Sequence, residues 1–340
     1  MRILLVCTPC IPCRVDLEYG GLEKVVALIA RELAKENEVT LIAGKGSKVK
    51  GVEVIAPIES RYSLPGENRE RELWESAGVD AREYEVIDFH THSRPVITAE
   101  NVCWSIHDLL PMHPIYHYVL VARSRFHANF LNQRWGMEIS YVYNCIDPRE
   151  YKVVERKKDY LLFLSRITRA KGIFNLLDLA RRIDYEFVVA GEDRIEYGID
   201  PFELAEVLAK IPDNVSYLGF VSDEKKKQLL SRAKALVIPY DQDYKEVFGI
   251  VLIEALACGT PVFAIDSGAV SELFGNGLTT FGYVARSLDG LESALKGYLS
   301  GKFEFDPWVL RDYAERFSPS ESAKHYLEIY GAAALSRRGV

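Results

Sequence analysis

Short apolar runs alternate along the chain with longer segments whose apolar residues recur at helical spacing. The first run is RILLVC at residues 2–7, and the segment from about Leu22 to Lys35 has the apolar stripe of an amphipathic helix. Further predicted strands lie at 38–44, 51–58, 84–90, 101–107, 118–123 and 139–144. Strands that alternate with helices predict βαβ units and a parallel sheet.

The same pattern begins again after a polar connecting segment, NCIDPREYKVVERKKD, which contains Pro148. A helix is predicted at 173–183, and strands are predicted at 159–166, 186–191, 215–220, 235–240 and 261–266. The chain is therefore predicted to be α/β, with two Rossmann-like doubly wound domains at 1–150 and 151–317. A ligand is expected in the crevice between the two sheets, at the carboxyl ends of their strands.

Composition narrows the class of protein. The 340 residues are 48% hydrophobic and 27% charged, which is typical of globular domains with substantial cores. The formal net charge of −7 gives no global attraction to nucleic acid. No apolar run is long enough for a membrane-spanning helix, and the first residues do not have the pattern of a signal peptide, so a cytoplasmic location is expected. Six cysteines in such a chain argue against a secreted disulfide framework.

The strongest chemical signal is EVFGIVLIE, in which Glu246 and Glu254 are separated by seven residues. On one regular helix the two side chains would lie on the same side, about 12 Å apart, a span that suits two hydroxyl-bearing parts of an extended ligand. The helix is predicted to begin near Phe248–Gly249. Glu254 lies within an apolar run and needs a partner there. The alternative is a buried helix with two incidental glutamates.

A second signal follows the strand predicted at 159–166. Arg166 lies at its carboxyl end, and Lys171 and Gly172 open the next helix. A planar guanidinium, an ammonium and a helix N-terminus together form a suitable clamp for a diphosphate. Two surface cations are the alternative.

Two weaker signals lie in the first half of the chain. Gly20 and Gly21, after the first strand, let the backbone approach an anion closely at a helix N-terminus. The pair is not the G-x-G-x-x-G of nicotinamide binding. His107, in SIHD, follows a strand and would face the crevice as a hydrogen-bonding group, or it is an ordinary structural histidine.

Three kinds of motif resemble metal-binding sites, but none of them is interpreted as one. Cys7, Cys10 and Cys13 form a C-x-x-C-x-x-C series, but a zinc site or a cluster usually has four ligands, so the loop is interpreted as a candidate acceptor-site loop. Asp241 and Asp243 form a D-x-D that is interpreted as part of a polar loop. The histidine pairs in HTH (90–92) and HPIYH (113–117) lack the helix and the acid of a zinc protease.

Taken together, the order GG…H…R-x4-K-G…E-x7-E…G-T-P-V resembles the GT-B-fold retaining glycosyltransferases of family 4. The segments YNCIDPREY and VSYLGFVSDEKKKQLLSRAKALVIPY are similar to the same family. The resemblance covers nearly the whole chain and is densest from Tyr141 to Leu273. It departs from the family pattern at the CID segment, at GED (191–193) and at Ser267-Gly268.

The resemblance implies a role for each matching side chain. Arg166 and Lys171 would neutralise the leaving diphosphate, and Glu254 would hold the ribose hydroxyls. Glu246 would hold hydroxyls of the donor sugar, and His107 would contact the sugar near the reacting centre.

It also implies roles for the backbone and for the last helix. Gly21, next to Gly20, would bring its amide to the distal phosphate, and Val221 would meet the base through its backbone. The backbone of Val247, Phe248 and Gly249 would bind the donor sugar. The last helix, at about 318–340, would cross back onto the first domain.

The implied activity is transfer of a hexose from a UDP- or GDP-linked donor to a hydroxyl acceptor, with retention, by a front-face mechanism without cofactor or metal. The acceptor would be a glycan, a small molecule or a lipid-linked compound, and the last would bring peripheral membrane contact. A non-catalytic nucleotide-sugar-binding subunit and a nucleotide-sugar epimerase remain alternatives.

Overall fold

The computed structural model describes residues 1–63, 67–110 and 118–337. The chain divides into two compact units. Unit 1 comprises Met1–Ile146 and Phe317–Val340, and unit 2 comprises Asp147–Arg316. The chain thus enters unit 2 at Asp147, where the sequence places the boundary at 150, and its last helix lies in unit 1.

In the described part of unit 1, seven parallel strands form one sheet in the order β3-β2-β1-β4-β5-β6-β7. The strands are β1 (Arg2–Cys7), β2 (Glu38–Ile42), β3 (Glu53–Ile55), β4 (Val86–His90), β5 (Val102–Ser105), β6 (Val119–Ala122) and β7 (Ser140–Tyr141). The helices are α1 (Gly21–Leu33), α2 (Arg69–Ala77), α3 (Arg125–Trp135) and α11 (Pro319–Arg337).

The two faces of this sheet are covered by different helices. On one face, residues such as Phe89 and Trp104 form a hydrophobic core with Leu73 of α2 and Leu131 of α3. On the other face α11 packs against β4, β5 and α1. Successive residues of a strand point to opposite faces of the sheet. The strand residues that alternate with those of the hydrophobic core therefore point toward α11.

Unit 2 contains a second seven-stranded sheet, in the order β10-β9-β8-β11-β12-β14-β13. Its strands are β8 (Leu161–Leu164), β9 (Phe187–Ala190), β10 (Val215–Gly219), β11 (Ala235–Ile238), β12 (Val262–Ile265), β13 (Gly277–Thr279) and β14 (Gly282–Ala285). Its helices are α4 (Ile173–Arg182), α5 (Pro201–Ala209), α6 (Asp223–Arg232), α7 (Ile250–Ala257), α8 (Val270–Phe274), α9 (Leu288–Leu299) and α10 (Pro307–Ala314).

The predicted pair of parallel-sheet, Rossmann-like domains is confirmed, and each predicted strand contains an observed one. The pattern missed the β13–β14 hairpin, which pairs antiparallel at the sheet edge. Its strands are only three and four residues long, and each begins with a glycine of positive φ, so they carry no clear alternation. Among the described residues, no helix combines the length and the apolar composition needed to cross a membrane.

Each sheet has a point at which its strand order reverses. In unit 1 this point lies between β1 and β4, and in unit 2 it lies between β8 and β11. In open α/β sheets the loops that follow such a pair of strands diverge and leave a crevice for a ligand. The candidate residues of each unit are therefore best examined at these two places.

Candidate functional site

At the switch point of unit 2, Arg166 and Lys171 both belong to the loop between β8 and α4. Arg166 is exposed, and its Nη2 lies 3.3 Å from the Gly198 carbonyl oxygen. Lys171 is mostly buried, with 19% of its side chain exposed. The loop thus presents one open guanidinium and one enclosed ammonium near the N-terminus of α4.

Gly172 fixes the approach of this loop to the neighbouring strand. It caps α4 with a φ of +89°, and a Cβ there would lie 1.9 Å from the Pro239 carbonyl oxygen after β11. Only glycine permits both this backbone angle and this contact. The close approach brings Lys171 to the loop that follows β11.

Glu246 in that second loop is the direct partner of Lys171. The Lys171 Nζ donates hydrogen bonds of 2.6 Å to Glu246 Oε2 and of 2.6 Å to the Tyr244 hydroxyl. Tyr240 and the Phe248 amide also donate to the Glu246 carboxylate. Burial by itself would raise the pKa of Glu246, but the charge of Lys171 outweighs it and lowers that pKa. Burial likewise opposes charge on Lys171, yet Glu246 raises the pKa of Lys171 overall. Both groups are therefore charged.

The predicted start of the helix near Phe248–Gly249 is confirmed, so the spacing estimated for two glutamates on one regular helix does not apply. Helix α7 begins at Ile250, so Glu246 lies in the preceding loop and Glu254 alone lies on the helix. Gly249 caps α7 with a φ of +83°, which a regular helix cannot include. The loop is also held from outside, because the Glu246 amide donates to Ser267 Oγ and the Ala269 amide donates to the Glu246 carbonyl.

Glu254 has the partner that its apolar surroundings require. Its Oε1 accepts hydrogen bonds of 2.7 Å from Lys226 Nζ and of 2.7 Å from the Tyr151 hydroxyl. Lys226 also lies 3.0 Å from Asp223 Oδ1. These charges outweigh burial and raise the pKa of Lys226. Each of the two glutamates thus forms an ion pair with its own buried lysine.

The predicted backbone contacts of unit 2 lie at carboxyl ends of the same sheet. Val247, Phe248 and Gly249 connect Glu246 to α7, and no side chain caps the N-terminus of that helix. Val221 follows β10 and precedes Ser222, whose side chain caps α6. No contact in the structure tests the ligand roles predicted for these positions.

At the switch point of unit 1, Gly20 caps α1 with a φ of +119°, and the exposed Gly21 is the first residue of the helix. A Cβ on Gly20 would lie 2.9 Å from Glu23 Oε2, so the side chain of Glu23 lies close to the helix entry. Burial raises the pKa of Glu23 to about 7.

His107 follows β5, and its Nε2 lies 3.2 Å from Nδ1 of His90, the last residue of β4. Burial and then the charge of Arg123 lower the pKa of His107 well below its usual value. His107 is therefore a neutral imidazole, which can accept or donate a hydrogen bond but carries no charge. Sequence reasoning named His107 and did not identify its partner.

The cysteine loop has contacts of its own. Cys7 and Cys13 are buried, and Cys13 Sγ donates to the Glu23 carbonyl oxygen at 3.3 Å. Cys10 Sγ accepts a hydrogen bond from Thr8 Oγ1 at 3.1 Å. All six cysteines are free thiols.

Within the part of the chain that the structure describes, no group of three or more histidine, cysteine, aspartate or glutamate residues is arranged to hold a metal ion. The HPIYH segment at 113–117 lies outside the described residues.

Several residues of these clusters were missed by sequence reasoning. They are Tyr151, Lys226, Tyr240 and Tyr244 in unit 2, and in unit 1 Asp88 and also His90, which was considered only within the HTH pair and not as a partner of His107. A signal existed for the last two, because in YEVIDFH both alternate with the apolar Ile87 and Phe89 and so share one face of a strand. No comparable pattern marks the tyrosines or Lys226.

The part of the chain that holds the unit 2 clusters is similar to known glycosyltransferases. Residues 148–307, which contain both lysine–glutamate pairs, match the family model "Glycosyl transferases group 1". An uncharacterized glycosyltransferase of Methanocaldococcus jannaschii is 26% identical over 219 residues, or 58% of this chain and 54% of that protein. The alpha-maltose-1-phosphate synthase of Mycolicibacterium smegmatis is 29% identical over 192 residues, or 52% of this chain and 49% of that protein. The chain spans about half the length of these curated relatives.

Solved structures are similar over nearly the full chain. AviGT4, a glycosyltransferase involved in avilamycin A biosynthesis, superposes with a TM-score of 0.72 at 22% identity over 98% of each chain. Anabaena Alr3699/HepE, solved in complex with UDP and glucose, has a TM-score of 0.70 at 17% identity, covering 98% of this chain and 100% of that chain. Identities this low show the fold alone. Residues 148–307 are therefore similar to the glycosyl transferases group 1 family, and the two units have the parallel-sheet, Rossmann-like folds found in GT-B glycosyltransferase structures.

Proposed function

We propose that the protein is a retaining glycosyltransferase that moves a hexose from a nucleoside-diphosphate sugar, UDP- or GDP-linked, to a hydroxyl acceptor without a metal ion. The observation that supports this most directly is the Lys171–Glu246 pair at the switch point of unit 2, where the exposed Arg166 belongs to the same β8–α4 loop as Lys171. A structure of one GT-B neighbour in complex with UDP and glucose is consistent with a nucleotide-sugar donor.

The charges of unit 2 fit the requirements of a leaving diphosphate. Arg166 offers a planar fork, Lys171 a compact charge, and the N-termini of α4 and α7 add amide donors with no side-chain cap on either helix. Fixed donors of this kind stabilise charge that develops in the transition state without reorganising. In this proposal Lys171 shares its charge between Glu246 and the phosphate.

The two glutamates fit the neutral parts of the donor. A carboxylate accepts hydrogen bonds from vicinal hydroxyls, so Glu246 would hold sugar hydroxyls and Glu254 the ribose. Glu246 forms an ion pair and accepts from Tyr240 and the Phe248 amide, which favours a binding role over that of a covalent nucleophile. His107 would contact the sugar as a neutral imidazole, and Gly20 and Gly21 would bring backbone amides to the distal phosphate.

The proposed step is a front-face displacement. The bond between the anomeric carbon and the phosphate oxygen breaks, and a bond from that carbon to the acceptor oxygen forms on the same face. The acceptor hydroxyl passes its proton to the leaving phosphate oxygen, so atoms and charge balance without a side-chain base. Glycan, small-molecule and lipid-linked hydroxyls all satisfy this chemistry.

Thermal-shift measurements with a panel of nucleoside diphosphates and their sugars would identify the donor, since a ligand that binds only the folded state raises its melting temperature. With the selected donor, we expect release of nucleoside diphosphate that depends on an added acceptor, and a product with the donor's anomeric configuration by NMR. Turnover should persist in excess EDTA. Inverted product, complete loss of turnover in EDTA, or conversion of the sugar without acceptor would each contradict the proposal.

A further inference from the structure

Arg194 lies in the loop after β9, directly behind the GED segment (191–193), and a buried carboxylate holds one edge of its guanidinium. Its Nε donates a hydrogen bond of 2.8 Å to Glu192 Oε1, and its Nη2 donates one of 2.7 Å to Glu192 Oε2. The side chain of Glu192 is 1% exposed, whereas that of Arg194 is 31% exposed. Glu192 therefore fixes the plane of a guanidinium that solvent can still reach.

Two aromatic rings pack against the same guanidinium. Its central carbon lies 4.1 Å from the centre of the Tyr197 ring and 3.7 Å from the centre of the Phe220 ring. Rings this close contact the faces of a guanidinium, so a ligand can reach Arg194 only at an edge. Among the described residues, Nη1 of Arg194 has no hydrogen-bond partner. The edge formed by Nη1 and Nη2 is therefore available as a planar fork of two N–H donors.

On one side, Arg194 is connected to the candidate diphosphate site. Strand β9 is the neighbour of β8 in the sheet, and the Ile167 amide after β8 donates a 2.9 Å hydrogen bond to the Glu192 carbonyl oxygen. Arg166 Nη2 lies 3.4 Å from the Tyr197 carbonyl oxygen, and the ring of the same tyrosine packs on Arg194. Arg166 and Arg194 thus contact a single residue from its backbone and from its ring.

On the other side, Arg194 is connected to the candidate ribose site. Phe220, whose ring packs on Arg194, lies in the short link between β10 and α6. Near the start of α6, Lys226 forms the 2.7 Å ion pair with Glu254. In a nucleoside diphosphate the base is attached to the ribose, at the end remote from the phosphates. The fork of Arg194 is therefore placed where a base could be contacted.

We propose that Arg194 determines the base specificity of the donor site and that the base it selects is guanine. A fork of two parallel N–H donors pairs best with two neighbouring acceptors in one plane, which guanine presents as O6 and N7. Adenine has an amino group beside N7, and uracil has no ring nitrogen acceptor beside O4, so each offers the fork one acceptor. This inference rests on the proposed function, because it requires a nucleoside-diphosphate donor, and it narrows that donor to a GDP-linked sugar.

Titration calorimetry on the full chain with GDP, UDP and ADP tests the selection. The wild type should bind GDP at least tenfold more tightly than UDP or ADP, as expected for one bidentate contact. Arg194→Lys keeps the positive charge beside Glu192 but loses the fork, so it should bind GDP about tenfold more weakly and UDP as the wild type does. Arg134→Lys, at an exposed arginine on α3, is the matched control and should retain the preference for GDP.

The outcomes separate this inference from the proposed function. Binding of UDP or ADP as tight as that of GDP by the wild type overturns the guanine selection and leaves the nucleotide-sugar donor standing. A full preference for GDP in Arg194→Lys overturns the role of Arg194. If none of the three nucleoside diphosphates binds, both the inference and the proposed function fail.

Discussion

Glu23 in unit 1 and Glu246 in unit 2 occupy similar places, but their pKa values are shifted in opposite directions. Both are buried, and both lie beside a glycine of positive φ that caps a helix at the switch point of its sheet. Burial raises the pKa of Glu23 to about 7, because it outweighs a backbone hydrogen bond and the charge of His92, both of which lower that pKa. Lys171 reverses that effect at Glu246 and lowers the pKa.

A charged partner determines whether a buried carboxyl group keeps its charge. Burial disfavours the charged form of a carboxyl group, so without a paired cation its pKa rises and it binds a proton more readily. One that is paired keeps its charge, but removing its partner leaves that charge uncompensated. Unit 2 therefore holds a charged pair that a ligand's phosphates and hydroxyls can contact, whereas Glu23 at the switch point of unit 1 has a pKa of about 7.

The largest expected effect comes from breaking the unit 2 pair. Lys171→Met should lower turnover by about a thousandfold, as expected when a charged transition-state donor is lost. It should also lower the free energy of unfolding by about 3 kcal/mol, because Glu246 remains buried and unpaired. Steady-state rates and urea unfolding measure the two effects.

The double variant Lys171→Met/Glu246→Gln separates stability from activity. It should recover most of the stability and none of the turnover. Lys296→Met, at an exposed lysine on α9, is the matched control and should change neither property appreciably. A Lys171→Met variant with near-normal turnover would refute the role assigned to this residue.

The raised pKa of Glu23 predicts that the stability of the protein changes with pH. Its carboxyl keeps a proton to about pH 7 when folded and loses it near its ordinary value of 4.5 when unfolded. Between these two values the folded state binds more protons, so stability falls as pH rises, by about 1.4 kcal/mol per unit, and levels off above pH 7. The contribution is fully present below about pH 4.5.

Glu23→Gln should remove this dependence. Relative to the wild type, it should gain about 3 kcal/mol in the free energy of unfolding between pH 4.5 and 7.5. Urea unfolding at several pH values, with the exposed Glu36→Gln as control, measures the gain. A constant difference between wild type and Glu23→Gln would show that Glu23 is ionised when buried.

A smaller loss of stability is expected when either of two tyrosines is replaced. Each of them donates one hydrogen bond to a buried carboxylate. Tyr330→Phe should cost about 2 kcal/mol, because Asp88 is held by hydroxyls and an imidazole. Tyr151→Phe should cost only about 1 kcal/mol, since Lys226 still compensates Glu254. Thermal unfolding of both variants would measure the difference, and the reverse order would contradict this account of the two sites.

Hydrophobic periodicity was sufficient to predict the two parallel sheets, because each buried strand is a short apolar run between helical segments. The candidate site residues Arg166, Lys171, Glu246 and Glu254 could be named from the sequence. Their partners could not, since the Lys171–Glu246 and Lys226–Glu254 pairs join residues far apart in sequence. The start of α7 near Gly249 could be predicted, but the position of Glu246 in the preceding loop could not, because contacts with the distant Ser267–Ala269 segment fix that loop.

The central claim is that the Lys171–Glu246 site of unit 2 binds the diphosphate of a nucleotide-sugar donor. Titration calorimetry with the nucleoside diphosphate selected by thermal shift tests it most directly. We predict saturable binding by the wild type and by Lys296→Met, and a loss of at least tenfold in affinity, about 1.4 kcal/mol, in Lys171→Met. Equal affinity in all three proteins, or no binding of any nucleoside diphosphate, would contradict the account.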